Sequence, residues 1–190
     1  MQMSSFFSAL ALGSAALLAA HPAVAQQKLV PAQSEVQFTA RQMGVPLEGH
    51  FKKFDAQVSF DPAKLATSKI VFTVDTGSAT MGSRETDAEL PKATWFNVPQ
   101  FPQATFQSSA IKALGAGKFE VTGKLSIKGM ARDVVVPVTL VQNGATTLAT
   151  GALPLKRLAF KIGENEWADT SMVADDVQVK FKLALTGVGK

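Results

Sequence analysis

The sequence has no cysteine and no tyrosine, and beyond residue 25 it keeps one histidine, His50. Without cysteine there is no thiol nucleophile, no thiolate-held zinc, no covalently attached c-type haem and no lipid-modified cysteine behind a leader. Stability must come from packing and not from disulfides. One histidine cannot supply both a base and the group that orients it, and it is too few for a haem or zinc site. His50, beside Gly49, reads as a strand or rim residue. A dense basic run interleaved with aromatics is also missing, which argues against nucleic acid. Lys and Arg outnumber Asp and Glu by 19 to 15. The lysines (Lys28, Lys52, Lys53, Lys118, Lys124, Lys128, Lys180 and Lys182) are scattered at strand spacing, mostly on a solvated face. Such a field suits anionic head groups or membranes. With 13 Phe, 2 Trp and no phenol, the interior is expected to be dry and apolar.

One long apolar run is present, and it is N-terminal. FFSALALGSAALLAA ends in Ala23-Val24-Ala25, which fits a small-residue cleavage site. The run is short and rich in small residues for a membrane span. Residues 1–25 are therefore expected to be a cleaved export signal, although MQMSS carries no Lys or Arg. The exported chain would start at Gln26, be soluble, and form one domain over residues 26–190.

Beyond residue 25, alternation dominates. Val36, Phe38 and Ala40 share one face of SEVQFTA. Phe54, Ala56, Val58 and Phe60 share one face of FKKFDAQVSF, and Ile70, Phe72 and Val74 one face of SKIVFTVDT. Phe119, Val121, Leu125 and Ile127 alternate around an interior Gly123. RDVVVPVTLV is nearly all apolar, and its Pro137 implies a bend, bulge or edge. Leu148, Leu153, Leu155 and Phe160 follow, then Val177, Val179, Phe181, Leu183 and Leu185. Asp61-Pro62, Gly115-Ala116-Gly117, Lys128-Gly129 and Asn143-Gly144 mark turns, with Asn143-Gly144 the strongest hairpin signal. The pattern predicts an all-β, single-domain antiparallel barrel of about eight strands. VPLEGHFKKFDAQVSF exceeds the usual strand length of about five or six residues, and Gly49 is its natural bending point. Long curved strands favour a barrel tall enough for one ligand.

One stretch breaks the alternation. RETDAELPKATWFNVPQF, from Arg84 to Phe101, opens with charges at helical spacing and then sets aromatics among prolines. Glu85, Asp87 and Glu89 read as a solvated face, since carboxylates in acid–base work need burial and opposed pKa shifts. Asp175-Asp176 reads as the lead-in to the last strand. GAGKFE precedes a strand and lacks the last glycine of a phosphate loop, so it reads as a hairpin turn.

Four segments together resemble the YceI-like family: MGVPLEGHFKKFDAQVSFDP; FTVDTGSATMGSRETDAEL with WFNVPQFPQATFQSS; GKFEVTGKLSIKGMARDVVVPV; and LPLKRLAFKIGENEWAD. The likeness runs from about Leu29 to Leu185. It implies a lipocalin-like extended barrel in the periplasm, with a short helical insertion near residues 83–96 ahead of a strand from about Ala104. It also implies a non-catalytic carrier of a long isoprenoid or other amphiphilic lipid, with a quinone-like lipid among the ligands and no metal or other cofactor. The chain departs from the family where Thr86 separates Glu85 from Asp87, where Glu89 stands before Leu90 in place of a histidine, and where Arg41-Gln42 replaces a histidine. KIGENEW looks like a branch whose relatives sit beside membrane di-haem b-type cytochromes, so an accessory role in such a redox system is the alternative. A lipid-acting hydrolase or isomerase is disfavoured by the missing His and Cys. A true lipocalin would carry Gly-x-Trp near its first strand, and Trp occurs here only at 95 and 167.

On this reading Phe38, Leu47, Phe54, Phe72, Phe106, Phe119, Leu125, Phe160 and Phe181 line the interior, with Trp95, Phe96 and Trp167 near its ends. Arg41, Arg84 and Arg157 are the head-group candidates, because a guanidinium forks onto phosphate. A surface ion pair is the competing role for each. The expected partner is an amphiphilic lipid; nucleic acid is not expected, and a homodimer is left open.

Overall fold

The computed structural model describes residues 27–188. The expected export signal and the start at Gln26 lie outside them. The strands are β1 (Lys28–Leu29), β2 (Glu35–Gln42), β3 (Val45–Phe51), β4 (Phe54–Ser59), β5 (Lys69–Asp75), β6 (Ala79–Thr80), β7 (Gln103–Gly115), β8 (Lys118–Ile127), β9 (Met130–Asn143), β10 (Thr146–Lys156) and β11 (Asp176–Thr186), with one α-helix, α1 (Arg84–Glu89). They form one antiparallel sheet, in the order β4-β5-β7-β8-β9-β10-β11-β2-β3-β6, curled into a barrel. Taking β3 and β4 as one bent strand gives the expected eight long strands, to which β1 and β6 are short additions.

That bent strand joins the two ends of the sheet. Its first half pairs with β2 and its second with β5. The bend falls at Lys52-Lys53 and not at the expected Gly49. There Ser78 takes over the pairing: its carbonyl accepts from Lys52 N–H at 3.1 Å, and its hydroxyl from Lys53 N–H at 3.0 Å. At the far end β1 pairs with β11. Gln27 then imitates a strand neighbour for the end of β4, its amide donating to Phe60 O (2.6 Å) and accepting from Phe60 N–H (2.7 Å).

Register decides which apolar residues face inward. A bulge between Ser108 and Ala110 in β7 flips the alternation, so Phe106 and Ile111 both face the interior. In β9 the interior takes Val136, Val138 and Leu140, leaving Val135 and Val141 exposed. The β9–β10 ladder stops at Val138↔Gly151. Pro137 lies just past that point, where its missing N–H forfeits no β10 partner. Leu148, grouped with Leu153 and Leu155 in the sequence pattern, is not in the cavity wall; its neighbour Ala149 is, because β10 runs without a bulge in phase with Leu153. Asn143 is the last residue of β9, and the hairpin turns on Gly144-Ala145. Only Gly144 of that pair has positive φ (59°), as a type II′ turn requires.

Three interior glycines seat aromatic rings. Gly49 faces Phe38 and Gly151 faces Phe181 across their ladders, while Phe106 leans diagonally onto Gly123. A Cβ on Gly49, Gly123 or Gly151 would come within 2.2, 2.5 or 2.3 Å of the ring in question. Each ring thus lies over a neighbouring strand. Gly49→Ala is expected to destabilise by about 1–3 kcal/mol, the usual cost of overpacking. Adding Phe38→Leu should recover part of that loss. Urea midpoints for the four members of the cycle check this; simple additivity would mean the ring and the glycine are not coupled.

Candidate functional site: an apolar cavity with one polar end

The barrel encloses a cavity of about 560 Å³, within the usual range for a small-molecule site. Its wall is built from the inward positions of the long strands: Val36 and Phe38 of β2, Phe72 of β5, Phe106 of β7, Leu125 of β8, Val136 of β9, Leu153 of β10 and Phe181 of β11. At one end Phe60 meets Phe119 edge to face, with ring centroids 5.3 Å apart. At the other lie α1 and the β2–β3 hairpin. The exposed members of the wall, Arg41, Glu85 and Glu89, all lie at this second end, and Gln42 and Thr86 join them. That end is the mouth.

The segment from α1 to Phe101 covers the mouth, but only its first six residues are helical. Beyond Glu89 the expected helical insertion becomes consecutive turns, because Pro91 and Pro99 punctuate the chain. Leu90 and Phe96 are buried in a cluster with Ala79, Ile127 and Phe160, and Phe96 packs edge-on against Phe51 at 5.9 Å. Phe96 is therefore wedged into the core beneath the cover. Asp87 pins the helix: its carboxylate accepts from the Thr80 hydroxyl at 2.5 Å and from Met81 N–H at 2.7 Å. The solvated-face reading holds for Glu85 and Glu89 but not for Asp87, which turns inward to β6.

Two buried cations fasten the same end. Arg157 is only 3% exposed, and each of its five N–H groups meets a backbone carbonyl. Nε donates to Ala174 at 3.0 Å, Nη1 to Ile162 and Gly163 at 2.9 and 2.8 Å, and Nη2 to Trp167 and Val173 at 2.6 and 2.7 Å. Burial draws its pKa below the ordinary arginine value, and the charge of Asp175 opposes that. Lys128, grouped with the solvated lysines on sequence, is buried instead. Its Nζ donates to Lys161 O at 2.6 Å, to Thr94 O at 3.4 Å and to the Glu164 carboxylate at 3.0 Å. Together these ties hold KIGENEW beside the cover. Trp167 there packs on Trp95, centroids 5.6 Å apart. The Trp95 indole N–H is buried without a partner.

The structure places Phe38, Leu47, Phe72, Trp95, Phe96, Phe106, Phe119, Leu125, Phe160, Trp167 and Phe181 in the cavity wall. Phe54 is not there. It follows the bend at Lys52-Lys53, packs on Phe72 at 6.0 Å, and lines a separate, more polar cleft with His50 and Lys52. The three arginines separate. Arg41 stands at the mouth, donating to Gly44 O at 3.3 Å. Arg84 is exposed at the start of α1 and outside the wall. Arg157 touches the wall but has no N–H left for a head group, since all five are taken by carbonyls. No cluster of His, Asp or Glu suited to a metal occurs among the described residues, and no helix among them is long and apolar enough to cross a membrane.

Arg157→Lys is expected to cost about 2–5 kcal/mol, because an ammonium has three donors for five buried carbonyls. Thermal or denaturant unfolding measures it. The Asp87 latch has a pH signature. Its hydrogen bonds from Thr80 and Met81 hold its pKa below the ordinary 3.8. A depressed folded-state pKa contributes stability above the unfolded value and loses it as pH falls through the folded one. The urea-midpoint gap between wild type and Asp87→Asn should therefore be constant near neutrality and shrink as pH drops below about 4. A gap that is flat into strong acid would contradict the latch.

A family model described as the YceI-like domain matches residues 27–185. A curated relative from Azotobacter vinelandii, described as a UPF0312 protein, is 36% identical over 140 residues, covering 72% of each chain. The crystal structure of BcnA from Burkholderia cenocepacia is 51% identical and superposes with a TM-score of 0.79, over 82% of this chain and 98% of that one. A polyisoprenoid binding domain from Saccharophagus degradans, implicated in plant cell wall breakdown, shares the fold at 13% identity and a TM-score of 0.68, over 85% and 98%. By its sequence, its strand order and its enclosed cavity, the chain belongs to the YceI-like family.

Proposed function

We propose that this protein is an exported, non-catalytic carrier that sequesters a long-chain isoprenoid or similar amphiphilic lipid inside its barrel. One observation carries the reading: the cavity wall is apolar along its length, and its polar groups gather at the mouth. Arg157 lies at the same end, and its donors are already satisfied. Such a wall stabilises a tail by burial and leaves the head group at the solvent end. The solved relative named as a polyisoprenoid binding domain supports the same ligand class. The absence of a nucleophile–base pair in the wall favours binding over turnover. The N-terminal apolar run with Ala23-Val24-Ala25 supports export to the periplasm.

Tail length is expected to dominate affinity. Each buried methylene contributes about 0.8 kcal/mol, while association costs roughly 4–15 kcal/mol in lost freedom. A ten-carbon tail gains about 8 kcal/mol gross and binds weakly; one of twenty carbons gains about 16 kcal/mol, provided the cavity accommodates it. Removing Arg41 or Arg84 should matter less than narrowing the cavity with Leu125→Trp, because water and salt screen a charge at the mouth. A titration with isoprenoids of increasing tail length, with and without a diphosphate, checks this. Affinity that ignores the tail, or vanishes without the diphosphate, would overturn the reading.

A further inference from the structure

Three exposed large apolar residues belong to two turns bonded to each other beside the mouth. Met43, Val45 and Met172 are 70%, 59% and 41% exposed. Met43 tops the β2–β3 hairpin, and Val45 is the first residue of β3. Met172 belongs to a turn bound to that hairpin: Met43 N–H donates to Met172 O at 2.8 Å, Gln42 bridges to Val173, and Ala174 N–H donates to Arg41 O at 2.9 Å. Both turns are fixed by their own bonds. Met43 and Gly44 share positive φ values of 49° and 80°. Asp169 accepts from Ser171 N–H and hydroxyl at 2.8 and 2.7 Å, and its carbonyl holds Met172 and Val173. None of the three apolar side chains lines the cavity, so cargo packing does not explain them.

We propose that this pair of turns is a docking surface for a phospholipid bilayer, through which the carrier takes up and delivers its cargo; this rests on the lipid-carrier reading above. A long apolar tail crosses water at a high cost in free energy. The turns flank the opening through which such a tail must pass, so seating them among acyl chains lets it move from bilayer to wall. The patch is too small for a stable protein interface, which takes roughly 20–30 residues a side. It does suit shallow insertion at a bilayer surface. The charges beside it are mixed: Arg41 stands with Glu85 and Glu89 at the mouth, and Asp169 lies in the Met172 turn. Apolar insertion therefore carries the docking, and neutral lipid at high salt should support it.

The test compares the purified chain with Met43→Asp/Val45→Ser/Met172→Ser. One arm measures uptake of a dansyl-tagged long-chain polyprenol from phosphatidylcholine vesicles in high salt. The other titrates dansyl-farnesol directly, without vesicles. The triple variant should take up polyprenol more slowly by roughly tenfold or more, while binding dansyl-farnesol as tightly as wild type. Val45→Trp, a single change at an exposed strand position, should speed uptake, and it decides the matter if the triple variant fails to fold. Equal uptake rates with dansyl-farnesol binding intact would overturn the docking surface and leave the carrier reading standing. Wild type that binds neither probe would overturn the carrier reading itself. Self-association by analytical ultracentrifugation that the triple variant abolishes, with vesicle uptake unchanged, would assign the patch to a second copy and also overturn the docking.

Discussion

The cavity depends on where the phenylalanine rings go. Of the 13 Phe in the sequence, all but Phe6 and Phe7 belong to the barrel domain, and the barrel would close on itself if every inward ring pointed to the axis. Gly49, Gly123 and Gly151 prevent this for three of them. Each lacks a Cβ where Phe38, Phe106 or Phe181 crosses the neighbouring strand, so the ring folds against the wall. A methyl group at any of these positions would push the ring inward or part the strands. Two of the three pairs are direct ladder partners, so register and cavity are set together: slipping either ladder by one residue would break the seat as well as invert the strand's faces.

At the mouth end polar bonds take over from apolar packing. The cover over residues 84–101 has little regular structure of its own, yet it is held from three sides. Asp87 binds it to β6, Lys128 reaches Thr94 from the β8–β9 turn, and Gly163 and Glu164, in the turn that Arg157 gathers, donate to Thr94 O. The Leu90–Phe96 cluster seals beneath it. The short helix at the edge exposes Glu85 and Glu89 while Asp87 between them is bonded to Thr80 and Met81.

The arginines show how position changes the meaning of one residue type. Arg41 at the mouth keeps donors facing water, whereas Arg157 spends all of its donors on backbone. A guanidinium surrounded by carbonyls with planar geometry is fixed in place, and the turns it binds, at 162–163, 167 and 173–174, become one rigid edge of the mouth. The same edge presents Met172 to solvent beside Met43.

Strand periodicity, turn residues and the absence of cysteine and tyrosine were enough to establish from sequence an antiparallel barrel of about eight strands with an aromatic, apolar interior. The inward faces of β2, β5, β8 and β11 followed directly, because unbroken alternation maps onto one side of a sheet. Other features needed the tertiary structure. The β7 bulge, the inward phase of β10 and the choice among the consecutive valines of β9 depend on cross-strand register, which no single strand encodes. Phe54 left the wall because the bend falls at Lys52-Lys53, where Ser78 supplies the bonds. Along the chain Lys128 and Asp87 read as surface charges, and Arg157 as a head-group candidate. They are buried or latched because carbonyls and hydroxyls distant in sequence converge on them, and only the closed barrel brings those partners within hydrogen-bonding reach.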